Sequence, residues 1–515
     1  MRGLILGVIA LYGCGDDAVQ RDAQAPDAAS EGGLPSDGGV DAATTDAGRS
    51  CVAGMVVHAP GDGGLLGRNL LVSTEGGGGV SVREAEPAIA ASDQNAAVVA
   101  YVATDSRGAN FIGTVRLDAG GNASSPTPPA FGFGNMGATR QTMPSLAYSV
   151  SNHRFYLAWL SYDVDAPSGV AKDASVQVAT SSDDGATWQG PVRADDPADS
   201  GSVPGTGPDK PWLVTSPRDA SVWLVYRSGR DALIHVTSAP ANPAPPPFTT
   251  PSELVFDPQN LPPGSDPDLA FGANGRPRIA VADTGDVLVT WIHVLGDVLG
   301  SDHNTVQFAR MPLSLGAFSA PVTVNAASER VVFDDAPVVV GPGGSTVFVG
   351  YVVNLAQATP TMALVPAWEV RIARSVDGVS FATRTSPAGE PNSFAGGCII
   401  TRMRPSLALQ RLTTGVLRLH AAFYDDRYGS GYTASGPGLG AFVYTFTDST
   451  GFQAVQFLND ADFPESIVDS GPLWLGDYTA LAVTPGSGTD HRLFSAWTDT
   501  RNGVGHVAVA AGPVP

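Results

Sequence analysis

The amino-acid sequence predicts an all-β fold assembled from seven repeats. Three observations lead to this prediction: a composition poor in helix-forming surface residues, an apolar segment that recurs seven times, and strand-like runs in every copy. The 515-residue chain has two lysines and nine glutamates against 61 glycines and 41 prolines. Residues that favour exposed helix faces are therefore nearly missing, which excludes a mainly helical protein. With 43% hydrophobic and 15% charged residues, the composition is that of a folded, globular chain.

The repeats are marked by a short apolar segment that usually begins with proline. Successive copies begin 57, 67, 66, 60, 68 and 74 residues apart, and an aromatic residue ends a second apolar run 14 to 18 residues after each start. Self-similarity of this kind is typical of repeat architectures. The segments begin at Pro87, Pro144, Pro211, Pro277, Pro337, Pro405 and Thr479, and the aromatic residues are Tyr101, Trp159, Tyr226, Trp291, Tyr351, Phe423 and Trp497.

Most repeats contain further strand-like runs separated by Gly, Asp, Asn and Ser. In the second repeat, FYLAWLS and SVQVATS are the second and third runs, and Pro-Val marks a fourth at 190–192, as it does again at 320–322. Four strands per unit fit a β-propeller with one sheet per blade, so seven copies predict seven blades over residues 50–515. A six-bladed or two-domain arrangement is the alternative.

The last repeat shows three evident strands before the sequence ends at Pro515. A propeller ring closes when a strand from the start of the domain joins the last blade. We therefore expect the NLLVS run, from Asn69 to Ser73, to supply the missing outer strand.

Composition also narrows the possible partners. The chain has 29 basic and 50 acidic residues, a formal net charge of −21. Phosphate neutralisation needs clustered lysine and arginine, so no nucleic-acid partner is expected. After residue 14, no run approaches the about 18 apolar residues that would span a membrane. The sequence shows no transition-metal or phosphate-binding motif, and we expect no metal and no cofactor.

Residues 1–14, MRGLILGVIALYGC, have an early positive charge, a short apolar stretch and a small residue before Cys14. This pattern indicates an export signal. The segment resembles a bacterial lipoprotein signal, and the resemblance implies cleavage before Cys14 and lipidation of that cysteine. An ordinary signal peptide or a buried start of the chain is the alternative.

Residues 15–49 contain seven Asp, one Glu, two Arg and eight Ala, which predicts a disordered linker of net charge −6. Such a linker between a lipidated cysteine and a folded domain would hold the domain away from the membrane. We therefore expect an exported monomer that is lipid-anchored to the bacterial cell envelope, at the outer membrane, and is either periplasmic or surface-exposed.

The remaining cysteines, Cys51 and Cys398, form an even pair in a chain expected in an oxidising compartment. A disulfide between them would tie the start of the domain to a distant repeat. Two buried thiols are the alternative.

A turn motif follows the third strand of the second repeat. SSDDGATW fits the pattern S-x-D-x-G-x-T-W, and a shorter version, SVDGVSF, lies in the fifth repeat. Asp and Ser can satisfy the open amides of a tight turn, Gly permits a positive φ, and the aromatic residue packs between sheets. We expect these residues to hold hairpins together: Ser181, Asp183, Gly185, Thr187 and Trp188, then Ser375, Asp377, Gly378 and Phe381.

These turns resemble Asp-boxes, or BNR repeats, of sialidase-like β-propellers. Together with the repeat pattern, the resemblance spans most of residues 75–515 and implies an active site on the face opposite the boxes. Sialidases proper have six blades, so seven blades would be a departure from that family.

One face of the predicted propeller gathers arginines and carboxylates, because loops that enter the first strand and loops that leave the second open on the same side. Asp-x-Arg follows the second strand in three repeats, at 105–107, 425–427 and 499–501. A structural brace, in which Asp and Arg pair with each other or with neighbouring backbone, is one interpretation. Before the first strands stand Arg83, Glu84, Glu86, Arg140, Asp209, Arg276, Asp334, Asp335, Arg402, Arg404, Asp477 and Tyr478.

The family resemblance implies a functional interpretation of this face. In a sialidase pocket, arginines hold the substrate carboxylate and a tyrosine with a carboxylate partner is the nucleophile. By that resemblance Tyr478 would be the nucleophile, Asp105 the acid/base and Asp477 a further catalytic residue. The family's first-blade R-I-P is absent, since Ala85 stands two residues before Pro87. The arginines assigned to substrate binding are Arg107, Arg404, Arg427 and Arg501.

Three functions therefore stay open, because fold does not imply activity. The first is a cell-surface module that binds a glycan or surface polysaccharide at the central mouth, and the second is an exo-α-sialidase-type glycoside hydrolase. The third is a scaffold whose mouth is filled by Pro-rich loops such as 239–251. The missing first-blade arginine favours binding. Binding and hydrolysis are distinguished by whether arginines and a Tyr–carboxylate pair lie close together at the centre.

Overall fold

The computed structural model describes residues 69–72, 81–105, 109–124, 139–164, 171–199, 207–230, 233–242, 247–249, 253–256, 273–294, 304–355, 368–387, 401–425, 438–448, 451–453, 455–459, 463–465, 475–485, 490–501 and 504–514. In these ranges the regular structure is β-strand apart from two single-turn 3₁₀ helices, Pro197–Asp199 and Pro342–Gly344. The all-β prediction is confirmed. The segments predicted to be an export signal and a linker, residues 1–14 and 15–49, lie outside the described residues, as do Cys51, Cys398, Arg107 and Arg427. No helix in the described part of the chain is long and apolar enough to cross a membrane.

The strands form seven antiparallel sheets, one for each repeat. Strands are numbered along the chain, and β1 (Leu70–Leu71) belongs to the last blade. Blade 1 contains β2 (Ser81–Ala91), β3 (Ala97–Asp105) and β4 (Asn110–Leu117). Blade 2 contains β5 (Thr139–Ser149), β6 (Arg154–Val164), β7 (Ala171–Ser181) and β8 (Gln189–Arg193). Blade 3 contains β9 (Asp209–Thr215), β10 (Val222–Arg227), β11 (Ile234–Ala239) and β12 (Glu253–Phe256).

The second half of the ring repeats this plan. Blade 4 contains β13 (Ala273–Val281), β14 (Val287–Val294), β15 (Thr305–Met311) and β16 (Val322–Thr323). Blade 5 contains β17 (Val338–Val340), β18 (Val347–Asn354), β19 (Trp368–Ser375) and β20 (Thr383–Thr385). Blade 6 contains β21 (Arg402–Arg411), β22 (Leu417–Asp425), β23 (Gly438–Asp448), β24 (Gly451–Phe452), β25 (Gln456–Phe457) and β26 (Phe463–Glu465). Blade 7 contains β27 (Ala480–Val483), β28 (Arg492–Asp499) and β29 (His506–Pro513).

The innermost strands follow one another around a closed ring. Each of β2, β5, β9, β13, β17, β21 and β27 packs against the next, and β27 packs against β2. The prediction of seven blades is therefore confirmed, and a six-bladed ring is excluded. The fourth strands expected at the two Pro-Val sites are β8 and β16.

Ring closure uses the strand that the sequence predicts. β1 pairs antiparallel with β29, with Leu70 opposite Val509 and Leu71 opposite Ala508. The Val72 amide extends the ladder by donating to the Val507 carbonyl at 2.9 Å. Blade 7 thus has the order β1-β29-β28-β27, and the start of the domain completes its end.

The core lies between neighbouring sheets. The repeated aromatic residues lie within the second strands and are fully buried there; Trp497, for example, stacks on Phe442 of blade 6 with ring centroids 5.1 Å apart. Buried tyrosines also use their hydroxyls: Tyr226 donates to Asp199 at 2.9 Å, and Tyr351 donates to Glu329 at 2.9 Å. The aromatic residue of each repeat therefore supplies a large buried surface, and in the repeats of Tyr226 and Tyr351 it also supplies a hydrogen bond to a loop.

The turn after β7 is held by its own side chains. The Ser181 hydroxyl donates to Asp183 at 2.7 Å and accepts from the Gly185 amide at 2.8 Å. Asp183 also accepts from the Thr187 amide at 2.8 Å, and Gly185 has φ +80°. Trp188 packs on the cluster between blades 1 and 2. These contacts are the hairpin bonds that the residue types predict.

The turn after β19 repeats the arrangement in shorter form. The Ser375 hydroxyl donates to Asp377 at 2.8 Å and accepts from the Gly378 amide at 2.9 Å. The Ser380 hydroxyl donates to the Asp377 carboxylate. Phe381 packs edge-on against Phe308, with ring centroids 5.1 Å apart. Because the strands are antiparallel, both turns lie on the face opposite the starts of the innermost strands.

Candidate functional site

Five innermost strands share an irregularity near their starts. In each, the residue immediately before the repeated proline has a positive φ of 52° to 56°. A proline excludes the right-handed helical conformation for the residue before it, and a bulge re-aims the side chain of a bulged residue. A positive φ in a non-glycine residue is a strained state that tends to occur at functional sites. The residues are Glu86, Met143, Lys210, Arg276 and Arg404.

The seven positions before the repeated segments are related by the rotation of the ring, yet they carry different residues. Blade by blade, they are Glu86, Met143, Lys210, Arg276, Ala336, Arg404 and Tyr478. A purely structural position would tend to carry similar residues in every blade. This asymmetry indicates a centre adapted to a role beyond holding the blades together.

Asp477 joins three cations from three blades. Its carboxylate accepts from Lys210 Nζ and from Arg276 Nη2, the latter at 3.0 Å, and lies 3.5 Å from Arg404 Nη2. Burial would raise the pKa of the Asp477 carboxyl, but Arg276, Lys210 and Arg404 outweigh burial and hold that pKa well below its usual value. The carboxylate is therefore ionised at neutral pH.

Arg404 is held on several sides. Its Nη1 donates to Asp334 at 2.6 Å and its Nε donates to the Gly476 carbonyl at 2.9 Å. Its backbone amide donates to the second Asp334 oxygen at 2.7 Å. Arg404 thus links blade 6 to the loops that lead into blades 5 and 7.

An aromatic wall lies beside these ion pairs. Arg278 donates to Asp335 at 2.6 Å, and its guanidinium carbon lies 3.8 Å from the centre of the Trp212 ring and 4.8 Å from that of Tyr478. The two rings are tilted at 57°, with centroids 5.9 Å apart. A stacked guanidinium beside paired rings is a cation–π arrangement. Trp212 itself is half-buried.

We call this assembly the central cluster. Glu86 belongs to it because its side chain lies against Gly476 and accepts from the Thr142 hydroxyl at 3.0 Å. The central cluster contains four cations and four carboxylates, so its formal net charge is zero. The members are Glu86, Lys210, Arg276, Arg278, Asp334, Asp335, Arg404, Asp477 and Tyr478.

Four donors in the central cluster have no hydrogen-bond partner among the described residues. They are Nε and Nη1 of Arg276, Nε of Arg278 and the hydroxyl of Tyr478. Arg276 is 7% exposed and Tyr478 is 1% exposed, so water solvates these atoms poorly. Buried polar groups are normally paired, and donors left unpaired at the axis point to a ligand with acceptor oxygens.

The structure brings together part of the site expected from the sequence. Arg404, Asp477 and Tyr478 all lie in the central cluster. Asp105 ends β3 and accepts from the Ala109 amide at 2.8 Å, across its own loop. Arg501 pairs with Asp499 at 2.6 Å, as the brace interpretation expects.

Other residues of the central cluster had no assigned role. Arg276, Asp334 and Asp335 were placed at this mouth by their position before the first strands, whereas Lys210 and Arg278 were missed. The position directly before each repeated proline is the sequence feature that identifies Lys210, because alignment of the repeats places Lys210 at the same position as Arg276 and Arg404. No group of three or more His, Cys, Asp or Glu that could hold a metal ion occurs among the described residues.

The fold and the site define a seven-bladed β-propeller with a buried ionic cluster at its axis. No protein-family model matches the chain, and no curated protein gives a significant match. Among solved structures, a protein of unknown function from Dyadobacter fermentans is 12% identical, with a TM-score of 0.44, over 87% of this chain and 98% of that one. A Hadza microbial sialidase is 11% identical, with a TM-score of 0.41, over 85% and 68%. The intramolecular trans-sialidase of Ruminococcus gnavus is 9% identical, with a TM-score of 0.40, over 84% and 94%.

Proposed function

We propose that the protein binds a glycan at the central mouth. We also propose that it is a lipid-anchored protein of the bacterial cell envelope, and that the turns after β7 and β19 are Asp-boxes of the sialidase-like type. The observation that carries the binding proposal is the set of unpartnered donors on Arg276 and on Tyr478, whose ring lies beside that of Trp212. Sugar hydroxyls accept hydrogen bonds from such donors, and the apolar faces of sugar rings pack on aromatic side chains.

Access to the central cluster supports the same proposal. The Asp477 side chain is 15% exposed, more than that of Lys210 or Arg276 beside it, and Trp212 is half-buried. A ligand entering at the mouth would therefore meet Asp477 and Trp212 first. Arg276 contacts Asp477 through Nη2 at 3.0 Å, which leaves its Nε and Nη1 as donors for a ring hydroxyl.

Binding is favoured over hydrolysis by the state of Tyr478. Burial, the largest influence, raises the pKa of its phenol, although Lys210 and Arg278 oppose that rise. A phenol with a raised pKa keeps its proton at neutral pH, where a nucleophile needs to lose it. This supports Tyr478 as a hydrogen-bond donor to the ligand.

The binding proposal is tested by screening the protein on an immobilised glycan panel and then titrating positive glycans by calorimetry. Arg276→Gln removes two of the free donors, and we expect it to weaken binding by about tenfold or more. Arg193→Gln is the matched control, because Arg193 pairs with Asp195 at 2.7 Å in blade 2, away from the axis. Equal affinities for the two variants would contradict binding at the centre.

The hydrolase alternative is tested on chromogenic glycosides that include sialosides. We expect no turnover by the folded protein. Hydrolysis that Tyr478→Phe abolishes would instead assign an exo-glycosidase in which Tyr478 reacts.

A further inference from the structure

Asp477 lies where an external anion would otherwise lie. Its two carboxylate oxygens face Lys210, Arg276 and Arg404, which come from three different blades. Three converging cations are the usual receptor for a carboxylate, sulfate or phosphate group. In this chain, the receptor already holds a carboxylate of its own.

Charge balance leads to the same conclusion. Arg404 is also neutralised by Asp334, and Arg278 by Asp335 at 2.6 Å. With Glu86 included, the four cations of the central cluster meet four carboxylates. An anionic ligand would add an uncompensated charge to a buried, balanced network, where such a charge is strongly unfavourable.

We propose that Asp477 is an internal anion that determines specificity, so that the central mouth accepts neutral glycans and rejects acidic ones. This inference rests on the proposed glycan binding and names its substrate class. The free donors of Arg276 and Tyr478 suit the hydroxyl and ring oxygens of an uncharged sugar. A ligand carboxylate could reach the cations only by displacing Asp477. The backbone on either side, at Gly476 and Tyr478, holds Asp477 in place.

The test uses inorganic phosphate as the probe, titrated into the full chain and followed by phosphorus NMR. The unmodified protein should show no saturable binding. Asp477→Asn removes the internal anion and keeps its shape. We therefore expect this variant to bind phosphate saturably and at least about tenfold more tightly than the unmodified protein does, a difference of about 1.4 kcal/mol. Asp477→Asn combined with Arg276→Gln should lose this gain. Asp195→Asn, which alters an Arg–Asp pair in blade 2, should not acquire it.

Saturable phosphate binding at the centre of the unmodified protein would overturn the proposal, as would a folded Asp477→Asn variant that gains none. The unmodified protein gives a second test that does not depend on the folding of a variant. On paired panels, it should bind neutral glycans and reject the same backbones bearing carboxylate or sulfate. An acidic glycan held through Arg276 would overturn the specificity and leave glycan binding intact. If Asp477→Asn gains phosphate binding while the unmodified protein binds no glycan, the result would support the internal anion and contradict the proposed function.

Discussion

His420 of blade 6 is a buried histidine whose two ring nitrogens are both occupied. Nδ1 lies 2.7 Å from the Tyr444 hydroxyl and Nε2 lies 3.1 Å from the Gln410 carbonyl oxygen. A neutral imidazole satisfies both partners, with Nε2–H donating and Nδ1 accepting. Burial, with smaller contributions from Arg418 and His491, lowers the pKa of His420 from 6.5 to about 3.

This depressed pKa predicts acid sensitivity. Below pH 6.5 this histidine is protonated in the unfolded chain, whereas in the folded chain it stays neutral down to about pH 3. The free energy of unfolding should therefore fall with falling pH across that window, by about 1.4 kcal/mol per pH unit from this residue. His420→Gln should flatten the slope, as measured by urea unfolding at a series of pH values. His153→Gln is the control, because that side chain is 64% exposed. An unchanged slope in His420→Gln would show that other groups cause the acid sensitivity.

At the scale of the element, the closing strand decides whether the ring is complete. β1 has only two residues in the ladder, but Val72 beyond it is 3% exposed and its carbonyl accepts from Tyr101 at 3.3 Å. Asn69, just before it, donates to the Leu458 carbonyl at 2.9 Å. The strand thus contacts blades 1, 6 and 7, so a short segment ties the two ends of the domain together.

A charge placed in this strand should open the ring. Val72→Asp buries an unpaired carboxylate between blades 1 and 7, and we expect a loss of about 3 kcal/mol or more in the free energy of unfolding. Leu315→Asp is the control, because Leu315 is 73% exposed. Urea midpoints of both variants check this, and a midpoint of Val72→Asp near that of the control would mean that closure contributes little.

At the scale of the whole molecule, the central cluster connects blades that are distant in sequence. Arg404 and Asp334 are 70 residues apart, and Lys210 and Asp477 are 267 apart. A buried ion pair is not strongly stabilising overall, but removal of one partner leaves the other charge without compensation.

The pair of Arg404 and Asp334 should therefore behave non-additively. Asp334→Asn should cost about 3–5 kcal/mol, and Arg404→Met a similar amount. The double variant should cost clearly less than the sum, with an interaction energy of about 2 kcal/mol or more in a double-mutant cycle followed by urea unfolding. Additive losses would show that the two side chains act independently.

Much of the fold followed from local features of the sequence. The recurrence of PAIA-like segments and the aromatic residue after each gave seven blades, because each blade must bury the same kind of surface against its neighbours. NLLVS was recognisable as the closing strand because the last repeat lacked its own. The bonds of the Ser181–Asp183 turn followed from the residue types alone, since all of its partners lie within seven residues.

The centre depended on tertiary structure. Arg404, Asp477 and Tyr478 were expected at the mouth from the sequence, as were Arg276 and Asp334, but the pairs that they form were not, because the contacts join positions up to hundreds of residues apart. Ring geometry brings the seven positions before the repeated segments to one axis, and the bulge at five of them aims their side chains there. The sequence by itself determined the repeats, the strands and the mouth on which charge gathers. Only the closed ring decided which charges meet, because ion pairing depends on distances across the axis that spacing along the chain does not encode.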